Sequence, residues 1–569
     1  MNNLINAARD VLSIAEAAEY ASRLLGKTVT PSNISYLIQY GRVARVDIDG
    51  VGGVSRRELE EYYSSYGRAY KQKFGMGETA SSEAIDPSET TVPNSVNWTL
   101  SFAQYKEAET TKHVHRLHPY KGKFIPQLVE YFIDGHTDEF KRDVYFHPGD
   151  VILDPFAGSG TTLVQACECG MHAVGVDVSA FNAMIANCKV ARCDLIDLQT
   201  EAMRVSDVLK ESVARSRIPE FEARLTDALA SYNEQYFPSP EYRYRLRRGE
   251  IDEDEYGPAQ AEAFLPVYRA LVAEYGVALL QGVSEESVEG SKPPDPNPQV
   301  DDGSFLGKWY LPSVRREIDV IFGEIEKVRP PETKRALSVA LSRAMRSCRA
   351  TTHSDLATLL EPVSEPYYCT KHGKVCRPLF SMARWWDRYA KDTVARLAEF
   401  EGLRRLRGAA THQLCLVGDS RTIDLPSALE CASSPALAAL AANRGIAGIF
   451  SSPPYVGMID YHEQHAYAYE LFGFERNDSA EIGPMFRGKT KDAQEAYVEG
   501  VAQVLLNCKK SLANGYNVFL VANDRRNLYP AIAAKAGMRI VNRFHRPVLN
   551  RSEKDRTAYS ETIFHMKEA

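Results

Sequence analysis

The chain has 569 residues and a mass of 63.6 kDa, which is too long for one hydrophobic core, because cores stop growing at roughly 250–300 residues. Hydrophobic residues make up 44% and charged residues 25% of it, a balance that excludes a chain disordered throughout. The net charge of −7 excludes bulk positive charge as a basis for binding nucleic acid, so any such binding must use local basic patches.

The sequence predicts neither a membrane span nor a secretory signal. It contains no run of about 18 apolar residues, and its first residues, MNNLINAARDVLS, lack the charged-then-apolar order of a secretory signal. Ten cysteines without framework spacing indicate reduced thiols. We therefore expect a cytoplasmic protein without membrane contact.

Residues 1–66 are predicted to form a small helical domain. The segment LSIAEAAEYASRLLG (12–26) has apolar residues at helical spacing, and a second amphipathic helix begins near Ile34. In RVARVDIDGVGGVS (42–55) apolar and polar residues alternate and glycines allow a turn, which predicts a hairpin wing before a third helix. This order resembles the winged helix-turn-helix domains of excisionase-type DNA-binding proteins; the alternative is a helical cap that binds nothing.

The stretch VILDPFAGSGTT (151–162) predicts a strand that ends at Asp154, a turn with Gly158 and Gly160, and then a helix. Glycines let the backbone approach a ligand, and the free amides of the helix favour a nucleotide-like group. A second strand, HAVGVD, ends about twenty residues later at Asp177, where a carboxylate can accept hydrogen bonds from ribose hydroxyls. The dinucleotide fingerprint does not fit, because Asp154 occupies the place of its first glycine.

DPFAGSGTT resembles, over nine consecutive residues, the S-adenosylmethionine-binding motif of the DNA amino-methyltransferases. The resemblance implies that this loop cradles the methionine part of the cofactor. HRLHPYKGKFIPQLVEYFI (115–133) resembles the segment that precedes the loop in these enzymes, although it could also be a structural loop. LCLVGDSRTIDL (414–425) predicts a strand ending on an acidic residue that contacts the cofactor adenine in this family, with a surface turn as the alternative. The cofactor-binding candidates are Tyr120, Phe124, Asp154, Pro155, Phe156, Ala157, Gly158, Ser159, Gly160, Asp177 and Asp419.

In GIFSSPPYVGM (448–458) an apolar strand stops at two prolines. Ligands bind beyond the carboxyl ends of strands in open α/β sheets. There, the Ser452 hydroxyl and the Pro453 carbonyl can accept the hydrogens of an exocyclic amine, the rigid Pro454 follows, and Tyr455 offers a face for an extruded base. We predict that these four residues are catalytic; a Pro-Pro turn without function is the alternative.

SSPPY resembles the catalytic motif of the DNA amino-methyltransferases. Its serine resembles the N4-cytosine subgroup more than the N6-adenine subgroup, which usually carries Asp or Asn there. Chemistry of the C5-cytosine type is excluded, because it uses a cysteine that follows proline, and none of the ten cysteines does so.

Strands and helices alternate and two strands end the sequence, which predicts a mostly parallel α/β sheet with a C-terminal antiparallel hairpin. The resemblance to the amino-methyltransferases implies that this is a Rossmann-like class I methyltransferase fold. In the family that this chain resembles, a long insertion between cofactor loop and catalytic strand recognises the target. The predicted divisions are a helix-turn-helix domain (1–66), a linker (67–97), a cofactor-binding segment of the methyltransferase core (98–200), an inserted, mainly helical target-recognition region (201–404), and a catalytic segment of the core (405–569).

Three arginines in the insertion, Arg343, Arg346 and Arg349, recur every three residues. This spacing predicts one helical face suited to DNA phosphates, with solvated charge as the alternative.

YYCTKHGKVCRP carries Cys369, His372 and Cys376, with Cys348 as a candidate fourth zinc ligand. Because the paired short spacings of zinc sites are incomplete here, we expect a reduced, partly buried cluster and no metal.

Together these features predict a site-specific DNA methyltransferase that transfers a methyl group from S-adenosylmethionine to the N4 amine of a flipped cytosine in double-stranded DNA. The alternatives are an N6-adenine DNA methyltransferase, a DNA-binding regulator with an inert methyltransferase core, and an RNA or small-molecule methyltransferase. The resemblance also implies a role in restriction-modification or phage defence, with a cognate restriction nuclease as partner.

Overall fold

The computed structural model describes residues 11–25, 29–39, 43–48, 51–63, 98–102, 104–120, 122–275, 303–355, 359–408, 410–432, 434–455, 461–483, 490–548 and 560–569. The predicted linker over 67–97 lies outside these residues. None of the described helices is long and apolar enough to cross a membrane.

The first unit is a small mixed structure with its own apolar core. Its elements are β1 (Val11–Ser13), α1 (Ile14–Leu25), α2 (Pro31–Gln39), β2 (Arg45–Ile48), β3 (Val51–Ser55) and helix α3 over residues 56–63. Helix α1 begins at a reciprocal cap, in which the Glu16 carboxylate accepts the Ser13 N–H at 2.9 Å and the Ser13 hydroxyl accepts the Glu16 N–H at 3.3 Å. Strand β3 lies between β1 and β2, antiparallel to both.

A seven-stranded sheet forms the centre of the remaining chain. Its strands are β4 (Val151–Asp154), β5 (His172–Asp177), β8 (Gln413–Val417), β9 (Ile446–Ser451), β10 (Leu512–Ala522), β11 (Met538–Pro547) and β12 (Ser560–Glu568). They lie in the order β11-β12-β10-β9-β4-β5-β8. All neighbours pair in parallel except β12, which runs antiparallel between β10 and β11. The predicted mostly parallel sheet with its antiparallel C-terminal pair is confirmed.

Apolar cores lie on both faces of this sheet. Ile152 of β4 packs into one core, whereas its neighbours Val151 and Leu153 pack into the other, as the alternation of side chains along a strand requires. The covering helices are α5 (Pro126–Ile133), α6 (Thr161–Glu168), α7 (Ala180–Val190), α16 (Leu425–Cys431), α17 (Pro435–Arg444), α20 (Lys491–Lys509) and α21 (Tyr529–Lys535). Shorter helices are α4 (Glu107–Thr110), α18 (Tyr461–Gln464) and α19 (Ala466–Phe472), with 3₁₀ turns at Trp98–Ser101, His113–Arg116 and Asp478–Ala480.

Between β5 and β8 the described chain is mainly helical. Its elements after α7 are α8 (Leu195–Ala214), α9 (Ile218–Tyr236), α10 (Glu241–Arg247), α11 (Glu253–Tyr275), α12 (Phe305–Trp309), α13 (Pro312–Glu326), α14 (Pro331–Ser347), the antiparallel strands β6 (Tyr367–Cys369) and β7 (Lys374–Cys376), and α15 (Ala383–Arg407). The predicted borders near 200 and 404 fall inside α8 and α15, which pack against each other. The apolar core of this region is continuous with one face of the sheet.

Gly448 allows the close approach of the central strands β9 and β10. It pairs with Asn517, and a Cβ atom at position 448 would lie 2.0 Å from the Asn517 carbonyl oxygen. We expect Gly448→Ala to lower the free energy of unfolding by about 3 kcal/mol or more, because the two strands must separate to admit a methyl group. Urea unfolding followed by circular dichroism measures this.

The matched control is Gly323→Ala in α13, where a Cβ atom would meet nothing within 4 Å. It should leave stability unchanged or raise it by up to about 1 kcal/mol, through helix propensity. Equal stability of the two variants would contradict the close approach.

Candidate active site

Four parallel strands end at the same edge of the sheet, and the loops that follow them line one cavity. These loops come after β4, β5, β8 and β9, so segments far apart in sequence meet there, as ligand sites in open α/β sheets do. The lining residues are Tyr120, Gly122, Lys123, Phe124, Pro155, Phe156, Ala157, Gly158, Ser159, Thr161, Asp177, Val178, Ser179, Asn182, Gly418, Asp419, Ser420, Ser452, Pro454, Ala480, Glu481 and Ile482.

The loop after β4 depends on two glycines with left-handed backbone. Gly158 has φ +49°, and a Cβ atom there would lie 3.0 Å from the Tyr120 hydroxyl. Gly160 has φ +76°, caps the start of α6, and would place a Cβ atom 2.7 Å from that of Ala186 in α7. Gly158 therefore keeps the cavity open towards Tyr120, whereas Gly160 lies beneath it and lets α6 and α7 pack closely.

Asp177, at the end of β5, fixes this loop. Its carboxylate accepts the Gly158 N–H at 2.8 Å, the Ser179 N–H at 2.9 Å and the Asn182 amide at 3.0 Å. Burial raises the pKa of Asp177 to about 6, and the nearby carboxylate of Asp154 adds to the increase.

The two serines of SSPPY have different surroundings. Ser451 is fully buried and its hydroxyl donates to Asp154 Oδ1 at 2.5 Å, whereas Ser452 lines the cavity. Burial raises the pKa of Asp154 to about 6, although the hydrogen bond from Ser451 opposes the increase. Asp154 thus lies under the cavity rather than on its wall. The contact between Ser451 and Asp154 was missed from the sequence, because 297 positions separate its partners.

The remaining SSPPY residues also differ in whether they line the cavity. Pro454 lines the cavity, Pro453 is buried, and Tyr455 lies outside the lining. The Tyr455 hydroxyl donates to the Glu561 carboxylate of β12 at 2.8 Å. This contact holds the segment after β9 against the antiparallel strand of the sheet.

Carboxylates give the cavity an acidic side. Burial alone would raise the pKa of Asp419, but hydrogen bonds from the Arg421 guanidinium at 2.6 and 3.0 Å hold it below its usual value. The Ser420 hydroxyl donates to the Pro155 carbonyl at 2.6 Å and joins the loops after β8 and β4. Glu481, which accepts the His462 N–H at 3.0 Å, also lines the cavity and was missed because no motif marks it.

Comparison with known proteins identifies the family. The chain is 40% identical to the type II methyltransferase M.MjaII of Methanocaldococcus jannaschii over 567 residues, which cover 99% of this chain and 98% of that protein. The chain belongs to the DNA amino-methyltransferase family. The family pattern described as DNA methylase matches residues 55–187, a range that includes the glycine loop and Asp177.

A second relative is the type II methyltransferase M.MvaI of Kocuria varians, 33% identical over 96 residues, or 17% of this chain and 19% of that protein. No solved structure matches the chain. The protein is thus a DNA methyltransferase, and DNA methylases of this kind use S-adenosylmethionine as the methyl donor.

In this methyltransferase the three predicted DNA-contacting arginines do not share one helix. Helix α14 ends at Ser347, so Arg349 lies beyond it, and the expectation of a single helical face is wrong in this respect. Arg343 is 8% exposed and pairs with Asp392 at 2.6 Å. Arg346 donates to the Pro119 carbonyl at 3.3 Å, next to the cavity, and Arg349 donates to the Arg346 carbonyl at 3.2 Å. Their contact with DNA stays a prediction.

The surroundings of the two serines predict effects of different size on stability. Ser451→Ala should lower the free energy of unfolding by about 1–3 kcal/mol at about pH 8, because it leaves the ionised Asp154 carboxylate buried without that donor. Ser452→Ala, the matched neighbour, should change it by less than about 0.5 kcal/mol. Chemical unfolding of both variants measures the difference.

The effect of Ser451→Ala should depend on pH. The pKa of Asp154 is raised in the folded state, so its contribution favours folding below its unfolded pKa and is lost as pH rises through about 6. The loss caused by Ser451→Ala should therefore be smaller at about pH 5, where the carboxyl is largely protonated, than at about pH 8. An equal loss at both pH values would contradict the contact with an ionised carboxylate.

Proposed function

We propose that this DNA methyltransferase transfers the methyl group of S-adenosylmethionine to the exocyclic N4 amine of a cytosine flipped out of double-stranded DNA. One observation carries the proposal: Ser452 and Pro454 line the same cavity as Gly158, Asp177 and Asp419. The residues proposed to bind the methyl donor and those proposed to bind its acceptor thus share one space, and proximity of this kind is what direct transfer requires.

The polar groups of the cavity suit the methyl donor. Among the described residues, the buried Ser159 Oγ and Asn182 Oδ1 have no hydrogen-bond partner, so polar groups of a ligand can satisfy them. A side chain at position 158 would fill the space beside Tyr120. The carboxylates of Asp177 and Asp419 suit a ligand with positive charge. When bound, S-adenosylmethionine supplies a methyl group on a positively charged sulfur.

Specific roles follow for the lining residues. We assign Asp177 to the ribose hydroxyls, Asp419 to the adenine edge, and the loop from Asp154 to Gly160 to the methionine part. Tyr120 and Phe124 are assigned to apolar packing against the ligand. Within this loop Asp154 acts from below, through its hydrogen bonds with Ser451 and with the Phe156 N–H at 3.2 Å.

On the acceptor side, the Ser452 hydroxyl and the Pro453 carbonyl would accept hydrogens from the target amine. This withdraws the nitrogen lone pair from the ring and aims it at the methyl group. Proline restricts the backbone that carries this carbonyl. Tyr455 would stack on the flipped base, and its hydrogen bond to Glu561 would hold the ring in place.

The choice of cytosine rests on Ser452. The N4-cytosine subgroup resembles this chain in having serine where the N6-adenine subgroup usually has Asp or Asn. The N6-adenine activity is the second candidate, since the matching family pattern does not distinguish the two amines.

DNA binding is assigned to two regions in contact with each other. The N-terminal unit has the helices and hairpin expected of a winged helix-turn-helix domain. Tyr244 of α10 in the insertion accepts the Arg45 N–H at 3.2 Å and donates to the Val43 carbonyl at 3.3 Å. We propose that both regions bind one duplex, that Arg343, Arg346 and Arg349 contribute to phosphate contact, and that the enzyme serves a restriction-modification system with a cognate nuclease.

The decisive experiment combines labelled S-adenosylmethionine with duplex DNA of many sequences. Nucleosides from the digested product are then identified by mass spectrometry. We expect N4-methylcytosine. N6-methyladenine would instead support the second candidate, and labelled RNA with unlabelled DNA would contradict both.

Ser452→Ala tests the acceptor site. It should lower the transfer rate by about 100-fold or more, comparable to removing one positioning hydrogen bond in an active site. Isothermal titration calorimetry should give unchanged cofactor affinity, because the serine is assigned to the base. A variant that transfers at the normal rate would contradict the assigned role.

Cofactor affinity should fall as pH falls through about 6, because protonation of Asp177 removes an acceptor for the ribose hydroxyls. Calorimetry should give about tenfold weaker binding at about pH 5 than at about pH 8, because pH 5 lies about one unit below the pKa of Asp177. Asp177→Asn should bind weakly at both pH values and lose most of this dependence.

Asp419→Asn is the matched control. The pKa of Asp419 is held below its usual value, so this variant should bind more weakly at both pH values but keep the tenfold ratio. If the ratio persisted in Asp177→Asn instead, the assignment of the ribose to Asp177 would be wrong.

A further inference from the structure

Four sulfur and nitrogen side chains meet in the inserted region, away from the cavity. They are His353, Cys369, His372 and Cys376, and their donor atoms all lie within 4.8 Å of one another. His372 Nδ1 lies 3.5 Å from Cys369 Sγ and 3.4 Å from Cys376 Sγ. Cys369 Sγ lies 3.8 Å from His353 Nδ1.

These separations match a tetrahedral zinc site. Zinc binds thiolate sulfur at about 2.3 Å and imidazole nitrogen at about 2.0–2.1 Å, so two such ligands at the tetrahedral angle are about 3.6 Å apart. The three distances lie on both sides of that value. Two cysteines and two histidines also form a common ligand set of closed, structural zinc sites.

The backbone holds three of the ligands in place without a metal. Cys369 and Cys376 lie at the ends of the paired strands β6 and β7. The turn between them has Gly373 at φ +63°, whose N–H donates to the Cys369 carbonyl at 2.7 Å. Arg243 donates to two further carbonyls of this turn, both at 2.9 Å. His372 is therefore presented towards both sulfurs by the hairpin itself.

The fourth ligand comes from a separate segment. His353 lies beyond the end of α14, and its backbone N–H donates to the Tyr367 hydroxyl at 3.0 Å. That hydroxyl also lies 2.8 Å from His353 Nδ1, a contact that we expect the metal to replace. Cys348, considered as fourth ligand from the sequence, is not part of the cluster and lies in the apolar core.

We propose that His353, Cys369, His372 and Cys376 bind one Zn²⁺ ion and so attach the segment after α14 to the β6–β7 hairpin. Zinc displaces the protons of the two thiols, which leave to solvent, and no oxidation takes place. This inference replaces the expectation of a metal-free cluster.

The ion would connect two regions of the insertion. The hairpin packs against α9, where the Asn233 side chain forms hydrogen bonds of 2.9 Å with both the N–H and the carbonyl of Val375. The Tyr368 hydroxyl reaches α10 and α11, at 2.9 Å from the Tyr242 hydroxyl and 2.7 Å from the Glu253 carboxylate. Helix α10 in turn contacts the N-terminal unit through Tyr244. Zinc would therefore join this side of the insertion to the segment that follows Arg349.

Metal analysis of the full-length protein tests the proposal without DNA or S-adenosylmethionine, so its outcome is independent of the methyl-transfer experiments. Protein purified with zinc in the growth medium and dialysed into metal-free buffer should retain about one zinc per chain by mass spectrometry. Cys369→Ser and Cys376→Ser should lose it. Cys431→Ser, which changes an exposed cysteine outside the cluster, should retain it.

A second measurement, on the wild-type protein, keeps the proposal testable if the cysteine variants fail to fold. Wild-type protein reloaded with Co²⁺ should show the intense visible bands of a tetrahedral site and the near-ultraviolet absorption of sulfur bound to cobalt. Folded wild-type protein that retains less than about one tenth of an equivalent of zinc would overturn the proposal. So would a cobalt spectrum without sulfur-to-metal absorption.

Discussion

A buried hydrogen bond between Ser451 and Asp154 joins the two halves of the candidate active site. It joins the ends of β9 and β4, the strands that carry SSPPY and the glycine loop. Neither partner contacts solvent to any extent, so the bond cannot be exchanged for water without opening the sheet. Because the two strands are also neighbours, the cavity wall at Ser452 has a fixed position relative to the loop at Gly158.

The long insertion is compatible with that constraint because it leaves and re-enters the sheet between neighbouring strands. Strands β5 and β8 are paired, and α8 and α15 lie side by side as the chain departs and returns. The apolar core of the insertion continues into one face of the sheet, so the insertion is not an independently stable attachment. Arg346 reaches the Pro119 carbonyl at the edge of the cavity. This hydrogen bond joins the insertion to the segment that carries Tyr120.

Features with a local signature were predictable from the sequence. Buried strands have continuous apolar runs. Residues of distinctive chemistry, such as Asp177 or the Ser-Pro-Pro motif, mark the ends of the strands beside the cavity. The rule that ligands bind at the carboxyl ends of strands then brought these residues to one edge. Features that depend on contacts between distant segments were not predictable. His353 has no spacing that connects it to Cys369, nothing near Tyr455 points to Glu561, and no glycine or proline marks the end of α14 before Arg349.

The antiparallel strand β12 has a consequence for how the enzyme is made. It lies between β10 and β11 but follows both in sequence, so each of them keeps an unpaired edge until β12 has been synthesised. Unpaired edges invite pairing with other chains, and a nascent chain at this stage needs protection from aggregation. Glu561, the partner of Tyr455, also lies on β12. The contact between Tyr455 and Glu561 can therefore form only after residue 561 has been translated, so a truncated translation product would carry the glycine loop without this contact.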